Sequence, residues 1–327
     1  YEFRFCDWSS DVCSSDLYTG LRIRGTDATR INFTLNGIPY NDAESQGAFL
    51  VNLPDFSSSV NSIQIQRGVG TSSNGTGAFG ATVSLSTNET NLKPYAEVNN
   101  TYGSFNTWKN TVKAGTGLIN NHFTVDARLS QITSDGFIDR ASSNLQAFYL
   151  SGAYISDKSS LRFNVFSGKE KTYQAWNGIP EAKLKGENDA LLTHYYNNLG
   201  SLYFTSADSV NLFTSDKRKF NIPLYKNETD NYRQTHYQLF FNHTINTNWS
   251  LNTGLFLTRG LGYYENYRVQ EKFSSYGLPN LVLRDTTIER TDLIRQKWLD
   301  NYFYGQVLSA QYKKDKHTPV LDRKSVV

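Results

Sequence analysis

From residue 122 onward the side chains alternate between apolar and polar. Phe123, Val125, Ala127 and Leu129 share one face, and His122, Thr124, Asp126, Arg128 and Ser130 share the other. A repeat of two is that of a strand with one dry and one wet side. The pattern returns at Leu161, Phe163 and Val165, at Tyr237, Leu239 and Phe241, and at Trp249, Leu251, Leu255 and Leu257. It predicts strands near 94–104, 107–116, 121–133, 145–156, 160–169, 232–246, 248–262 and 299–313. Most are longer than the ~5–6 residues common in soluble sheets. They approach the ~9–11 residues that a tilted strand needs to cross a bilayer. After the first hairpin the connections alternate, short at 117–120, 156–159, 246–248 and 314–317, longer at 134–144, 172–231 and 263–299. Short turns on one rim and long loops on the other are the habit of outer-membrane barrels. Tyr95, Tyr102, Trp108, Tyr154, Trp249 and Tyr312 lie near predicted strand ends, where an interfacial girdle would stand. The expected fold is mainly β, an incomplete antiparallel transmembrane β-barrel; a soluble β-sandwich or β-helix is the alternative that strand length disfavours.

Residues 18–91 have another texture, rich in Gly, Ser, Thr and Asn. Short β-like pieces, Leu21 to Arg24, Arg30 to Leu35, Ser62 to Gln66 and Thr82 to Ser86, are separated by turn signals at Asn36-Gly37, Pro54-Asp55 and Asn74-Gly75. This reads as a small mixed α/β domain ahead of the barrel strands of residues 92–321.

Composition sharpens the picture. With 21 Tyr, 20 Phe and 5 Trp but only 38% hydrophobic residues, the 327-residue chain is too aromatic for disorder and too polar for a large dry core. No run approaches the ~18 apolar residues of a membrane-spanning helix. The absence of Met predicts a piece of a longer reading frame. Residues 7–17 resemble a translated sequencing adapter and residues 322–327 its counterpart, so 1–17 and 322–327 are expected to be foreign to the fold. Both cysteines, Cys6 and Cys13, fall there, and no disulfide, zinc or thiol chemistry is expected. The formal net charge of +3 is spread along the chain without a basic block, which argues against a nucleic-acid partner.

Candidate chemistry is sparse. Gly75 to Gly80 fits G-x-G-x-x-G, but Ala81 to Ser86 after it is strand-like, whereas a dinucleotide site needs a helix N-terminus there. The glycines better suit a tight backbone path. His122, His194, His236, His243 and His317 show no ligand spacing, and no hydrolase, metalloprotease or Walker signature occurs. Neither an enzyme nor a bound metal or cofactor is expected.

Four segments in order carry a resemblance: Leu21-Arg-Ile-Arg-Gly25, Leu35-Asn-Gly-Ile-Pro39, Ile63-Gln-Ile-Gln-Arg-Gly68, and Asn74 to Thr87. The series resembles the C-terminal half of the plug domain of TonB-dependent outer-membrane receptors, whose pattern runs iRG, D/N-G-x-P, IE-x-x-RG and YG-x-x-A-x-GG-x-I-x-I-x-T before the barrel begins. The likeness covers residues 21–87, with departures at Gln64, Asn74 and Ala81. It implies a plug inside a barrel of which about 8 of some 22 strands are present, and active uptake driven by TonB through a box outside this sequence. Arg24, Gly25, Asn36, Gly37, Arg67, Gly68, Gly75 and Gly80 would be structural, with Arg67 pairing barrel carboxylates. Stretch 36–47 lacks the signatures of glycan importers, which turns the expectation toward a ferric siderophore, haem or cobalamin as ligand. Expected ligand-facing residues are Asp27, Tyr40, Asp42, Glu44, Gln46 and Phe49 on plug apices, Tyr173 and Trp176 in one long loop, and Tyr263, Tyr264, Tyr267 and Arg268 in another. Outer-membrane lipid would surround the wall of a Gram-negative cell's receptor. A passive porin or an adhesin barrel is the alternative, one with no use for residues 21–87.

Overall fold

A computed structural model describes residues 21–23, 25–69, 79–314 and 319–326. Two sheets organise them. The smaller contains β1 (Ile31–Leu35), β2 (Ile38–Pro39), β3 (Ser62–Arg67) and β4 (Ala81–Ser86) in the order β2-β1-β4-β3. β1 runs parallel to β4, from Ile31 beside Ala81 to Leu35 beside Leu85. Every residue of β1 is buried, polar Asn32 and Thr34 included, so both faces of the sheet are covered at this strand, while β3 at its edge stays exposed. Ile23, Ile31, Phe33, Ala81 and Val83 form its inner core. Asn36 and Gly37, both at positive φ, close the β1–β2 hairpin. A Cβ on Gly80 would collide with Thr26 and the Arg30 carbonyl, which bears out the tight path expected of that glycine.

The larger sheet has nine strands: β5 (Tyr95–Gly103), β6 (Thr107–Gly115), β7 (Phe123–Ser134), β8 (Ser143–Ile155), β9 (Ser159–Tyr173), β10 (Thr229–Thr244), β11 (Trp249–Lys272), then, after a hairpin of β12 (Leu281–Leu283) and β13 (Thr286–Ile288), β14 (Arg290–Tyr312) and β15 (Val320–Val326). Each pairs antiparallel with the next along the chain. Nine strands stand where eight are predicted, and β11 and β14 run 24 and 23 residues, well past their expected ends. In Tyr263 to Lys272 and Arg290 to Leu299 neither face is consistently apolar, so periodicity gives no signal there and backbone pairing alone extends the strands.

Burial in this wall is inverted relative to a soluble sheet. Along β7, Arg128 is 3% exposed and Leu129 66%; Thr124, Asp126 and Ser130 are buried while Phe123 and Val125 are exposed. Leu150, Leu161, Phe163, Tyr237, Leu239, Phe241 and Leu255 continue the outward apolar band. A wall that turns its hydrophobic face outward is built for lipid, not water. Paired rings mark its edges, Tyr102 with Trp108 at 4.7 Å, Phe123 with Tyr154 at 5.1 Å and Trp249 with Tyr312 at 4.9 Å. Tyr95 is no part of that girdle: its hydroxyl donates to Asp126 on the polar face.

The plug sheet sits against this polar face and meets five consecutive strands. Asp55 is the main joint. Its carboxylate accepts from Thr111 Oγ1 at 2.7 Å and Ser130 Oγ at 2.6 Å, and pairs with Lys109 Nζ at 2.5 Å. The Arg128 guanidinium donates to its carbonyl. Asp55 adopts φ 51°, a left-handed conformation that Asp tolerates better than most residues. Farther along, Asn36 Nδ2 donates to Gln238 Oε1 at 2.9 Å, Tyr149 OH to Thr87 Oγ1 at 3.0 Å, and Asn164 Nδ2 to Asn88 Oδ1 at 2.9 Å. Leu35, Leu53 and Phe56 from the plug pack with Tyr149 and Phe166 from the wall.

Burial pushes the Asp55 carboxyl upward, but the hydrogen bonds from Lys109, Ser130, Ser58 and Thr111 outweigh it and hold the group below its ordinary 3.8. A depressed folded value means that this contribution to docking is complete above about pH 4 and fades as pH falls through the lowered value. We predict that Asp55→Ala in the intact receptor loosens the plug by on the order of 2 kcal/mol. Amide hydrogen exchange across residues 50–60 should quicken relative to the barrel strands; equal protection in both proteins refutes the joint.

Candidate functional site

Cross-strand register divides the inner face into rows. One row runs Thr111, Ser130, Ala147, Gly168 and Gln234. The plug presses on it directly, since a Cβ on Gly168 would strike the Asn52 carbonyl and the Pro54 ring. The next row toward the long-loop rim holds Glu170 opposite Tyr232, and the one beyond holds Ser143, Thr172, Asp230, Tyr264 and Lys297. These two rows lie on the inner face between the row under the plug and the long-loop rim, a stretch termed the chamber.

The chamber is acidic on one side. Glu170 is 7% exposed and its Oε2 has no hydrogen-bond partner; the Thr172 hydroxyl is also buried and unpartnered. Asp230 on the neighbouring strand adds repulsion. On the other side Trp176 meets the Tyr264 ring edge-on at 6.0 Å and Lys297 Nζ stands 5.5 Å from the same ring. Aromatic faces with an adjacent cation can hold a flat or anionic group by stacking and charge.

The expected site residues divide by location. Asp27 is exposed and caps the short turn Ala28–Arg30 by accepting from Thr29 N. Asp42 folds the apex on itself, accepting from Ser45 N at 2.7 Å and Glu44 N at 3.1 Å, and Gln46 follows at φ 59°, so Glu44 and Gln46 stay exposed on a closed turn. Tyr40 turns into the plug core instead: its OH donates to the carbonyl of half-buried Phe49 at 2.5 Å, and its ring lies 5.9 Å from His236 of the wall. Tyr173 is buried, its hydroxyl tied to the Tyr225 carbonyl at 2.7 Å. Tyr263, Tyr264, Tyr267 and Arg268 belong to β11 rather than to a loop. Alternation sends Tyr264 inward with Phe256 and Thr258, and Tyr263 outward with Leu255 and Leu261, where it packs on Trp298 at 4.7 Å. Arg268 pairs locally with Glu271 at 2.7 Å. Among the structural positions, Gly25 and Gly68 take positive φ and Arg67 is exposed at the end of β3 without an ion-pair partner among the described residues. Arg24 and Gly75 lie outside the described residues.

The connection 174–228 is a folded cap, not an open loop. It contains α1 (Glu181–Lys185), α2 (Asn188–Asn197) and α3 (Ser206–Thr214) around a core of Leu191, Tyr203, Leu212 and Phe220. Thr205 and Asp208 make a reciprocal capping box at the start of α3. Lys183 is buried, donating to the carbonyls of Leu212 at 2.7 Å and Ser215 at 2.8 Å; burial lowers its ammonium from the usual value. The cap is fastened to β11 through Glu265, which accepts from Tyr225 OH at 2.8 Å and Asn227 Nδ2 at 2.6 Å. Sequence reasoning missed Asp55, Glu170 and Asp230. Pro54-Asp55 reads as a turn, and the two chamber acids lie beyond or at the end of a predicted strand.

Comparisons with known proteins show what this geometry is similar to. Residues 13–82 match the family model described as TonB-dependent Receptor Plug Domain. The fold is similar to the ferric-catecholate import receptor Fiu from E. coli, at 14% identity and TM-score 0.59 over 90% of this chain and 41% of that one. It is also similar to the pyoverdine outer membrane receptor FpvA from Pseudomonas aeruginosa, at 13% identity and TM-score 0.61 over 94% of this chain and 40% of that one. The copper transporter OprC aligns at 12% identity and TM-score 0.60 over 93% of this chain and 40% of its own. This chain therefore spans about two fifths of the length of each. No curated protein matches it in sequence. Residues 13–82 thus match the plug-domain model, and the fold of the described residues is that of plug and barrel strands in the solved receptors and transporter named above.

A buried carboxylate with an unfilled acceptor and an acidic neighbour destabilises its surroundings. Glu170→Gln is expected to raise the thermal midpoint of the intact receptor by a few degrees, read by calorimetry. A fall would mean that the acid is satisfied by something the substitution removes.

Proposed function

We propose that the intact receptor resides in the outer membrane and imports a scarce nutrient, a ferric siderophore, haem or cobalamin, in a cycle powered by TonB. The observation that carries this reading is the plug held by Asp55, Asn36, Thr87 and Asn88 against five strands of the polar inner face. A lumen so filled passes nothing by diffusion, and a ligand needs work done on the plug. TonB would supply it through a box outside this sequence, and outer-membrane lipid would surround the apolar band. Ligand would settle from the long-loop side, against Trp176 of the cap, Tyr264 and Lys297 of the wall, and Asp27, Asp42, Glu44 and Gln46 on the plug. A passive porin or adhesin gains nothing from such a stopper.

Two measurements test the reading. Transcription of the intact gene should rise at least several-fold on iron starvation; a flat response shifts weight from iron toward cobalamin. Ferric-siderophore uptake by cells carrying Trp176→Ala with Tyr264→Ala should fall about tenfold, the loss of one or two aromatic contacts. Tyr263→Ala, on the other face, should leave uptake within twofold. Equal effects at Tyr263 and Tyr264 would remove the chamber from the mechanism.

A further inference from the structure

The outward face of the wall, just above its apolar band, carries three exposed cations close together. Lys169 and Lys171 follow one another on the outward side of β9, and Arg233 of β10 stands directly opposite Lys169. Like charges opposed across an antiparallel pair repel. Among the described residues none of the three has an ion-pair partner. Of the nearby acids, Asp300 pairs with Arg259 at 2.5 Å, and Glu265, whose charge also attracts Lys171, accepts hydrogen bonds from Tyr225, Asn227 and Gln296. Arg233 does no more than reach Ser167 Oγ through Nε at 3.4 Å.

Beside these cations the wall is hollowed. A groove of about 600 Å³ has Val112, Leu129 and Phe148 on its apolar side and Gln146, Lys169 and Arg233 on its polar side. Tyr263 and Trp298 close the same height two strands away, as rings do at a lipid–water boundary. An apolar trough opening under a cluster of cations without ion-pair partners fits a molecule with an acyl chain below and a negatively charged head above.

We propose that this surface binds the phosphate of an anionic lipid, its acyl chain lying along Leu129 and Phe148 and its headgroup bridging Lys169, Lys171 and Arg233. The bound phosphate relieves the opposition of Lys169 and Arg233 and fixes the height of the wall in the bilayer at the long-loop rim. The proposal rests on the reading that this wall crosses a membrane.

The test uses the intact receptor, purified in detergent and incorporated into phosphatidylcholine nanodiscs, with diphosphoryl lipid A as probe. Native mass spectrometry and a fluorescent-lipid titration should show binding that weakens with salt. It should drop at least tenfold in the triple variant Lys169→Gln, Lys171→Gln, Arg233→Gln and persist in Lys169→Arg with Arg233→Lys. Heat-modifiable gel mobility reports whether each variant is folded. Binding unchanged in a folded triple variant overturns the proposal, as does equal competition by inorganic phosphate, which would indicate anion capture without a lipid. Failure of the wild-type receptor to enter nanodiscs would instead strike the membrane reading beneath it.

Discussion

The constraint on which this structure depends is that a wall facing lipid on one side must hide its polar groups on the other, and something polar must meet them there. Asp55 is where the chain meets that demand most directly. One carboxylate takes Thr111, Ser130 and Lys109 from two strands while its own carbonyl takes Arg128. Arg128 is 3% exposed, and a buried guanidinium without an acceptor is far costlier than one with it. The plug thus completes the wall chemically as well as filling the space inside it. Because these contacts are hydrogen bonds and one ion pair, with a limited apolar patch around Phe56 and Phe166, they can be exchanged for water more cheaply than a dry core. Under the proposed TonB-powered cycle, a stopper that stays put yet yields to a pull is better held this way than by hydrophobic burial.

Above the plug the balance differs. Glu170 and Thr172 retain unfilled polar atoms, while Asn36 and Gln238, farther down, hydrogen-bond each other. Glu170 and Thr172 lie on the long-loop side, where the cap of residues 174–228 is anchored by Glu265 and Tyr173; Thr82 in the plug and Arg128 Nε at the joint are likewise unfilled. Polar groups left open beside the cap are ones that a bound polar ligand could fill under the proposed function.

Much of this was legible in the chain. Phe123 to Ser130 announced strand, face and period together, because lipid on one side and a polar lumen on the other make alternation strict. The plug likeness was carried by glycines and turns whose conformations the structure shows, such as Gly25 and Gly68 at positive φ. Three things were not legible. Tyr263 to Lys272 lacks an apolar face, so only pairing with β14 reveals it as strand. The cap helices are short and hold together through tertiary contacts such as Lys183 on the end of α3. The turn at Asp55 looks like any Pro-Asp turn until Lys109, Thr111 and Ser130, more than fifty positions away, close on it.

Lys169-Glu170-Lys171 concentrates the logic of the whole wall in three residues. Strand alternation sends both lysines to the outer surface and the glutamate into the chamber, so neighbouring residues face different surroundings. Their pairing fixes which is which: Gly168 must face the plug because no side chain fits beside Asn52 and Pro54. A slip of one residue would push Lys169 into the plug and turn Glu170 outward at the height of Arg233. One glycine, required by the close approach of the plug, therefore determines the sign of charge on both surfaces of the barrel at this level.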